Sequence, residues 1–155
     1  RYYSKGSKEI HMIKSFRGQL QDGEFETIRL STNNGMVGYA IKKFQLMPLI
    51  PGQFVQELVC KLYSVEQTAA TGSVGFDDPT LLAAAVYSQH SDSWPTATTQ
   101  IIFDSNPVNQ DIFITLRDSQ GAAGAQGSNY YVELEQFKLD LSEATVATLK
   151  DMRAN

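Results

Sequence analysis

The chain has 155 residues, a length that suits one domain with a single hydrophobic core. Its net charge of −4 argues against a dedicated nucleic-acid-binding protein, and the single cysteine, Cys60, excludes an intramolecular disulfide. No apolar run approaches the roughly 18 residues of a membrane-spanning helix. Because Cys60 lies among strand-forming residues, we expect it to be a buried, unreactive thiol.

Basic residues are concentrated at the N-terminus. Five of the 13 Lys and Arg residues precede position 18, and these are Arg1, Lys5, Lys8, Lys14 and Arg17. We therefore divide the chain into a basic N-terminal arm, residues 1–15, and a single domain, residues 16–155. The arm is interpreted as a solvated terminus, or alternatively as a segment that contacts phosphate or an acidic partner.

Short runs in which apolar residues alternate with polar ones dominate the chain and predict strands. The first two runs are Glu9–Arg17 and Phe25–Ser31. Between them, the Asp-Gly pair at 22–23 predicts a tight hairpin turn, because glycine accepts the positive φ that such turns need. The Asn-Asn-Gly sequence at 33–35 predicts a second hairpin after the second strand.

The third predicted strand, Val37–Leu46, changes the parity of its apolar residues half-way along. Ile41 and Phe44 are three residues apart and would lie on opposite faces of a regular strand, so we predict a β-bulge near residues 42–43. The fourth strand, Phe54–Val65, has apolar residues on both faces. This pattern indicates that the strand is covered on both sides, or that one side packs against a neighbouring molecule.

The second half of the chain predicts four more strands and one helix. Leu81–Tyr87 suits either a buried strand or a short helix capped by Asp78, and we favour the strand because the fold otherwise lacks an eighth one. The remaining strands are predicted at Thr99–Asp104, Asp111–Arg117 and Asn129–Leu141. A second β-bulge is predicted near residues 135–136, and residues 142–153 predict a short C-terminal helix.

These elements define the fold class. Strands and helices do not alternate, so a parallel α/β sheet is excluded and an all-β fold is predicted. We expect an antiparallel β-sandwich of about eight strands, jelly-roll-like, with a short C-terminal helix. An immunoglobulin-like strand order is the alternative arrangement of such a sandwich.

The sequence carries no motif for nucleotide binding or nucleophilic catalysis. His90, Ser91 and Asp92 are residue types of a catalytic triad, but neighbours in an extended loop rarely converge, so we interpret them as a surface loop. The oxygen-rich stretches around Asp77 and Asp104 lack the spacing of an EF-hand calcium loop. We therefore expect no enzymatic activity, no cofactor and no metal.

Three features remain as candidate protein contacts. Trp94, the only tryptophan, is interpreted as a packing or contact residue, with stacking on a sugar ring as the alternative. The glycine-rich loop after Arg117 is interpreted as a flexible hairpin tip, or as an arm that becomes ordered against a neighbouring subunit. With the basic arm, the candidate contact residues are Arg1, Lys5, Lys8, Lys14, Arg17, Trp94, Gly121, Gly124, Gly127, Tyr130 and Tyr131.

Several stretches resemble one class of protein. The segment "NPVNQDIFITLRDS", followed by "GSNYYVELEQFKLDL", resembles the C-terminal part of small virion structural proteins of marine bacteriophages. The segment "IRLSTNNGMVGYAIKKFQLMP" is similar to their N-terminal hairpin and "LLAAAVYS" to their middle, so the resemblance spans about Phe16 to Arg153. It implies a β-sandwich that assembles into or onto a capsid, and it transfers no active site.

The resemblance implies a non-enzymatic structural protein located in the virion. Its expected partners are copies of itself and other capsid proteins, with weak nucleic-acid contact through the arm and none with a membrane. A shell subunit and a cement or decoration protein both remain open, and a homo-oligomer is expected in either case. The alternative function is a carbohydrate- or receptor-binding module with Trp94 at its centre.

Overall fold

The computed structural model of the chain describes residues 12–30, 36–53, 55–90, 97–103, 108–120 and 126–139. All regular secondary structure within these ranges is β-strand, which confirms the all-β prediction. The strands are β1 (Met12–Leu20), β2 (Phe25–Ile28), β3 (Val37–Pro48), β4 (Gln56–Tyr63), β5 (Leu81–Gln89), β6 (Ala97–Ile102), β7 (Ile112–Asp118) and β8 (Ser128–Lys138). The predicted C-terminal helix lies outside the described residues.

The strands form two antiparallel sheets that pack against each other. The smaller sheet has the order β1-β8-β3 and the larger sheet has the order β2-β7-β4-β5-β6. The pairing is nested along the chain, because β1 pairs with β8, β2 with β7 and β4 with β5. The predicted antiparallel β-sandwich is therefore confirmed.

The core lies between the two sheets and is built from alternating residues of their central strands. Val132 and Leu134 of β8 and Ile112 and Ile114 of β7 are all fully buried and belong to one apolar cluster. The spacing of two residues follows from the strand geometry, which directs successive side chains to opposite faces. The alternation read from the sequence thus identified the buried face of both strands.

The bulge predicted in the third strand is confirmed. The register of β3 against β8 shifts between Ile41 and Lys43, so Tyr39 and Phe44 both enter the core despite their opposite parity. The bulge predicted near residues 135–136 is wrong, since β8 keeps a regular register with β1 through these positions. No second bulge is needed because the pairing ends at Lys138, and the buried Leu139 lies beyond it.

Both predicted hairpins are wrong, because the strands that they would join lie in different sheets. β1 and β3 belong to the smaller sheet, whereas β2, which lies between them in sequence, belongs to the larger sheet. The turn geometry at 22–23 was predicted correctly, since Gly23 has a φ of 87°. Its N–H donates to the carbonyl of Leu116 in β7 at 2.9 Å, which attaches the turn to the larger sheet. Residues 33–35 lie outside the described part of the chain.

β4 is buried on both faces, as the sequence indicated. Leu58 and Leu62 are directed into the core, whereas Lys61 is on the opposite face and is only 2% exposed. Segment 64–80 covers that face, because the Lys61 ammonium donates to Thr71 Oγ1 at 3.1 Å and to the carbonyl of Ser73. The cover of β4 is therefore supplied by the chain itself.

The ambiguous run that follows is a strand, β5, as favoured from the sequence. Asp78 does not begin a helix. Its Oδ1 accepts hydrogen bonds from the N–H and the hydroxyl of Thr80, at 2.8 and 2.7 Å, and so closes the turn that leads into β5.

Candidate functional site

The described residues line a cleft of about 710 Å³, which we call the inter-sheet cleft. One wall consists of three strands of the smaller sheet at the level of Gly18, Tyr130 and Leu46, which are paired side by side. The other wall is formed by β5 and β6, around Ala85 and Gln100. The cleft thus lies where the two sheets face each other.

Two features of the sequence open this cleft. Ala85 on the far wall has a short side chain, which leaves space between the two walls. In addition, the larger sheet has two strands more than the smaller one. Thr98 and Gln100 pair with Tyr87 and Ala85 and share their core-directed face, yet both are exposed. Sequence reasoning missed them, because neutral residues in a strand form no motif.

Tyr130 forms part of the cleft wall and links the two sheets. Its ring lies over Gly18, where an added Cβ would be 2.8 Å from the phenol oxygen. The hydroxyl donates to Oε1 of Glu26 in β2 at 3.3 Å. Burial, reinforced by the Glu26 carboxylate, raises the pKa of Tyr130 to about 12. The phenol is therefore neutral near pH 7 and acts as a structural donor.

Arg17 and Tyr131 are paired neighbours on the outer face of the smaller sheet. The Tyr131 hydroxyl donates to Oε2 of Glu133 at 2.9 Å, and this hydrogen bond raises the pKa of the phenol. Two pairs further along, on the same face, Gln19 Nε2 donates to Asn129 Oδ1 at 2.9 Å. Guanidinium, phenol and amide groups therefore occur together beside the cleft.

Among the described residues, the basic residue of the predicted arm is Lys14, and it lies in a strand instead of an arm. Lys14 pairs with Leu134 within β1, and its ammonium lies 5.9 Å from the centre of the Tyr39 ring. Residues 12–15, which the sequence boundary assigned to the arm, belong to β1. Arg17, Tyr130 and Tyr131 are neighbours at the cleft, with Tyr130 on the inner face and Arg17 and Tyr131 on the outer face of the smaller sheet. Arg1, Lys5, Lys8 and Trp94 lie outside the described residues.

The glycine-rich loop is not the tip of a hairpin, because β7 and β8, which it joins, belong to different sheets. Its last glycine, Gly127, is buried, and a Cβ at this position would collide with the backbone carbonyl of Leu20. Close backbone packing therefore explains this glycine. Gly121 and Gly124 lie outside the described residues. The role of a contact arm, which the sequence predicts for this part of the loop, therefore stays a hypothesis.

The remaining titratable groups form no reactive constellation within the described ranges. No group of three or more His, Cys, Asp and Glu side chains there is close enough to hold a metal ion. Cys60 is fully buried, and desolvation raises the pKa of its thiol, which keeps it protonated and unreactive. Burial also lowers the pKa of Lys61, whose ammonium is engaged by segment 64–80.

The carboxylates near the 22–23 turn have a structural function. Asp118 is 1% exposed, and its Oδ1 accepts hydrogen bonds from the N–H groups of Glu57 and Gln120 at 3.1 and 3.0 Å. Asp22 Oδ1 accepts the N–H of Asp118 at 2.8 Å and lies 3.8 Å from the Arg117 side chain. Asp22 and Asp118 thus hold the turn at 22–23, where the chain passes from the smaller to the larger sheet, against the end of β7.

Comparison with known proteins adds no identity. No model of a known protein family matches the chain, and no curated protein matches it either. No helix in the described ranges combines the length and the apolar character needed to cross a membrane.

Proposed function

We propose that the chain is a virion structural protein that assembles into or onto a bacteriophage capsid. The nested sandwich supports this proposal, because jelly rolls occur among viral capsid domains. The sequence resemblance to virion proteins of marine bacteriophages supports it independently. Under this proposal the protein is not an enzyme, and its partners are copies of itself and other capsid proteins.

The observation that carries the proposal is the position of exposed apolar side chains. Met12, Ile13 and Phe25 are 49%, 57% and 46% exposed, and they lie on β1 and β2, an edge strand of each sheet. Apolar side chains on strand edges suit contact with neighbouring subunits better than contact with water. A protein whose role is assembly needs such surfaces on its edges.

The proposal leaves two roles, a shell subunit and a decoration protein, and one experiment separates them. The purified chain is imaged alone by electron microscopy and is then sedimented with capsids that lack it. A shell subunit forms closed particles alone, whereas a decoration protein binds the capsids. A chain that forms no particles and does not sediment with capsids would contradict the proposal.

A carbohydrate- or receptor-binding module is the second candidate function, and the inter-sheet cleft favours it. Its volume is within the roughly 300–1,000 Å³ that small-ligand sites occupy. The Tyr130 ring lines the cleft on its inner side, while Thr98 and Gln100 offer a hydroxyl and an amide to the hydroxyl groups of a sugar. A glycan array with wild type and Thr98→Ala tests this function. Binding that Thr98→Ala weakens would support it, and an array without binding would exclude glycan recognition.

A further inference from the structure

We infer that β6 is a self-association edge, at which a second copy of the chain pairs antiparallel with β6 across a two-fold axis. The two larger sheets then join into one continuous sheet. This inference does not depend on the proposed virion role, since a protein with any function can dimerise in this way. It rests on the edge strands, the direction of backbone groups in β6, and the side chains beside it.

The first argument comes from comparing the four edge strands of the described sheets, β1, β3, β2 and β6. Proteins protect edges with charges, bulges, short length or cover. β1 carries Lys14 and Arg17, and β2 has only four residues. β3 carries two lysines and a bulge, and Val108 pairs with it at Tyr39. β6, with the sequence ATTQII, carries no charge and no bulge, and five of its six residues are exposed.

The second argument concerns the backbone groups of β6. The Phe103 N–H donates to the Leu82 carbonyl at 3.0 Å, so this pair is a hydrogen-bonded pair of the β5–β6 ladder. Such pairs alternate with non-hydrogen-bonded ones in antiparallel sheets. The register therefore directs the N–H and C=O groups of Thr98, Gln100 and Ile102 away from β5. These groups form a row of donors and acceptors at the open edge.

The third argument identifies a second copy as the occupant. A two-fold axis pairs an edge strand with the same strand of the second copy. A charged edge would therefore place like charges opposite each other. β6 contains no charged residue, and it is therefore the described edge that self-pairing penalises least. A row of alternating N–H and C=O groups is also self-complementary under antiparallel pairing.

Apolar surface beside β6 supports the same partner. Ile101 is 39% exposed on the outer face of the strand. Phe76 is 60% exposed and packs edge-to-face on Phe103, with 4.8 Å between the ring centres. Strand pairing across β6 would cover part of these side chains on both copies, which adds hydrophobic burial to the backbone hydrogen bonds.

Sedimentation velocity of the full chain over a range of concentrations tests the inference. The wild type is expected to approach twice the 17.2 kDa mass of the single chain as concentration rises. Gln100→Lys places two like charges near the axis, and Gln100→Pro removes an outward N–H without breaking a bond to β5. Each variant is expected to weaken dimerisation by about tenfold or more. Circular dichroism confirms that each variant is folded, and Gln100→Lys decides the test if the proline variant does not fold.

The matched control is Thr27→Lys, which adds the same charge to β2, the other edge of the same sheet. Dimerisation that Gln100→Lys weakens and Thr27→Lys leaves unchanged supports the inference. A wild type that sediments as a 17.2 kDa species at every concentration overturns it. A dimer that is unaffected by both Gln100 variants overturns it as well.

Discussion

At the scale of single residues, Gly127 and Gly72 show how the neighbouring atom determines the cost of a methyl group. A Cβ at Gly127 would meet the backbone carbonyl of Leu20, which the β1–β8 pairing holds in place. A Cβ at Gly72 would meet only the hydroxyl of Ser119, which can rotate away. Gly127→Ala should therefore lower the free energy of unfolding by about 1–3 kcal/mol and Gly72→Ala by clearly less. Equal values in urea denaturation would contradict this assignment.

Tyr130 makes the stability of the protein depend on pH in the alkaline range. Its pKa in the folded protein is about 12, above the ordinary value of 10.0, so the neutral phenol stabilises the fold fully below pH 10. This stabilisation is lost as the pH rises from 10 towards 12. Tyr130→Phe should cost about 1 kcal/mol at neutral pH, through the lost hydrogen bond to Glu26.

Denaturation with urea at several alkaline pH values measures this effect. The free energy of unfolding should fall less steeply with pH in Tyr130→Phe than in the wild type, and the two curves should cross between pH 10 and pH 12. Parallel curves would show that Tyr130 does not cause the alkaline loss of stability.

At the scale of elements, the bulge in β3 predicts which deletion the strand tolerates. Without Lys42, the strand regains simple alternation, and Ile41 and Phe44 both keep their faces. The deletion also removes an exposed ion pair between Lys42 and Glu135, so the loss should be no more than about 1 kcal/mol. Deleting Gln45 instead turns Leu46 to the outer face and should cost about 2–5 kcal/mol. Similar urea midpoints for the two deletions would refute the assigned register.

The strands were predictable from sequence, but their partners were not. Alternation of apolar residues depends on local geometry, and it located the strands, the buried faces and the β3 bulge. The turn at 22–23 was also readable, because a positive φ is a local property of Gly23. Whether the strand after this turn, β2, pairs with β1 is a different matter. It depends on the pairing of β1 with β8, which is more than 100 residues away. A local signal contains no information on that pairing.

At the scale of the whole molecule, the candidate site was only partly readable. Tyr130, Tyr131 and Arg17 were singled out from sequence, and the structure places Tyr130 on the inner side of the inter-sheet cleft and the other two on the outer face beside it. The far wall of the cleft was missed, because Ala85 and Gln100 become a surface only when the two sheets differ in width. The exposed apolar residues likewise can be recognised as edge-strand residues only after the strand order is known.

The proposal that this sandwich is a virion subunit accounts for the exposed apolar side chains on its edge strands and for the lack of a reactive constellation among the described residues. Quantitative mass spectrometry of purified virus particles whose genome encodes the sequence tests this claim most directly. A virion structural protein should be present at a copy number comparable with that of the main shell protein. Particles that lack the chain, or contain only a few copies, would contradict the account.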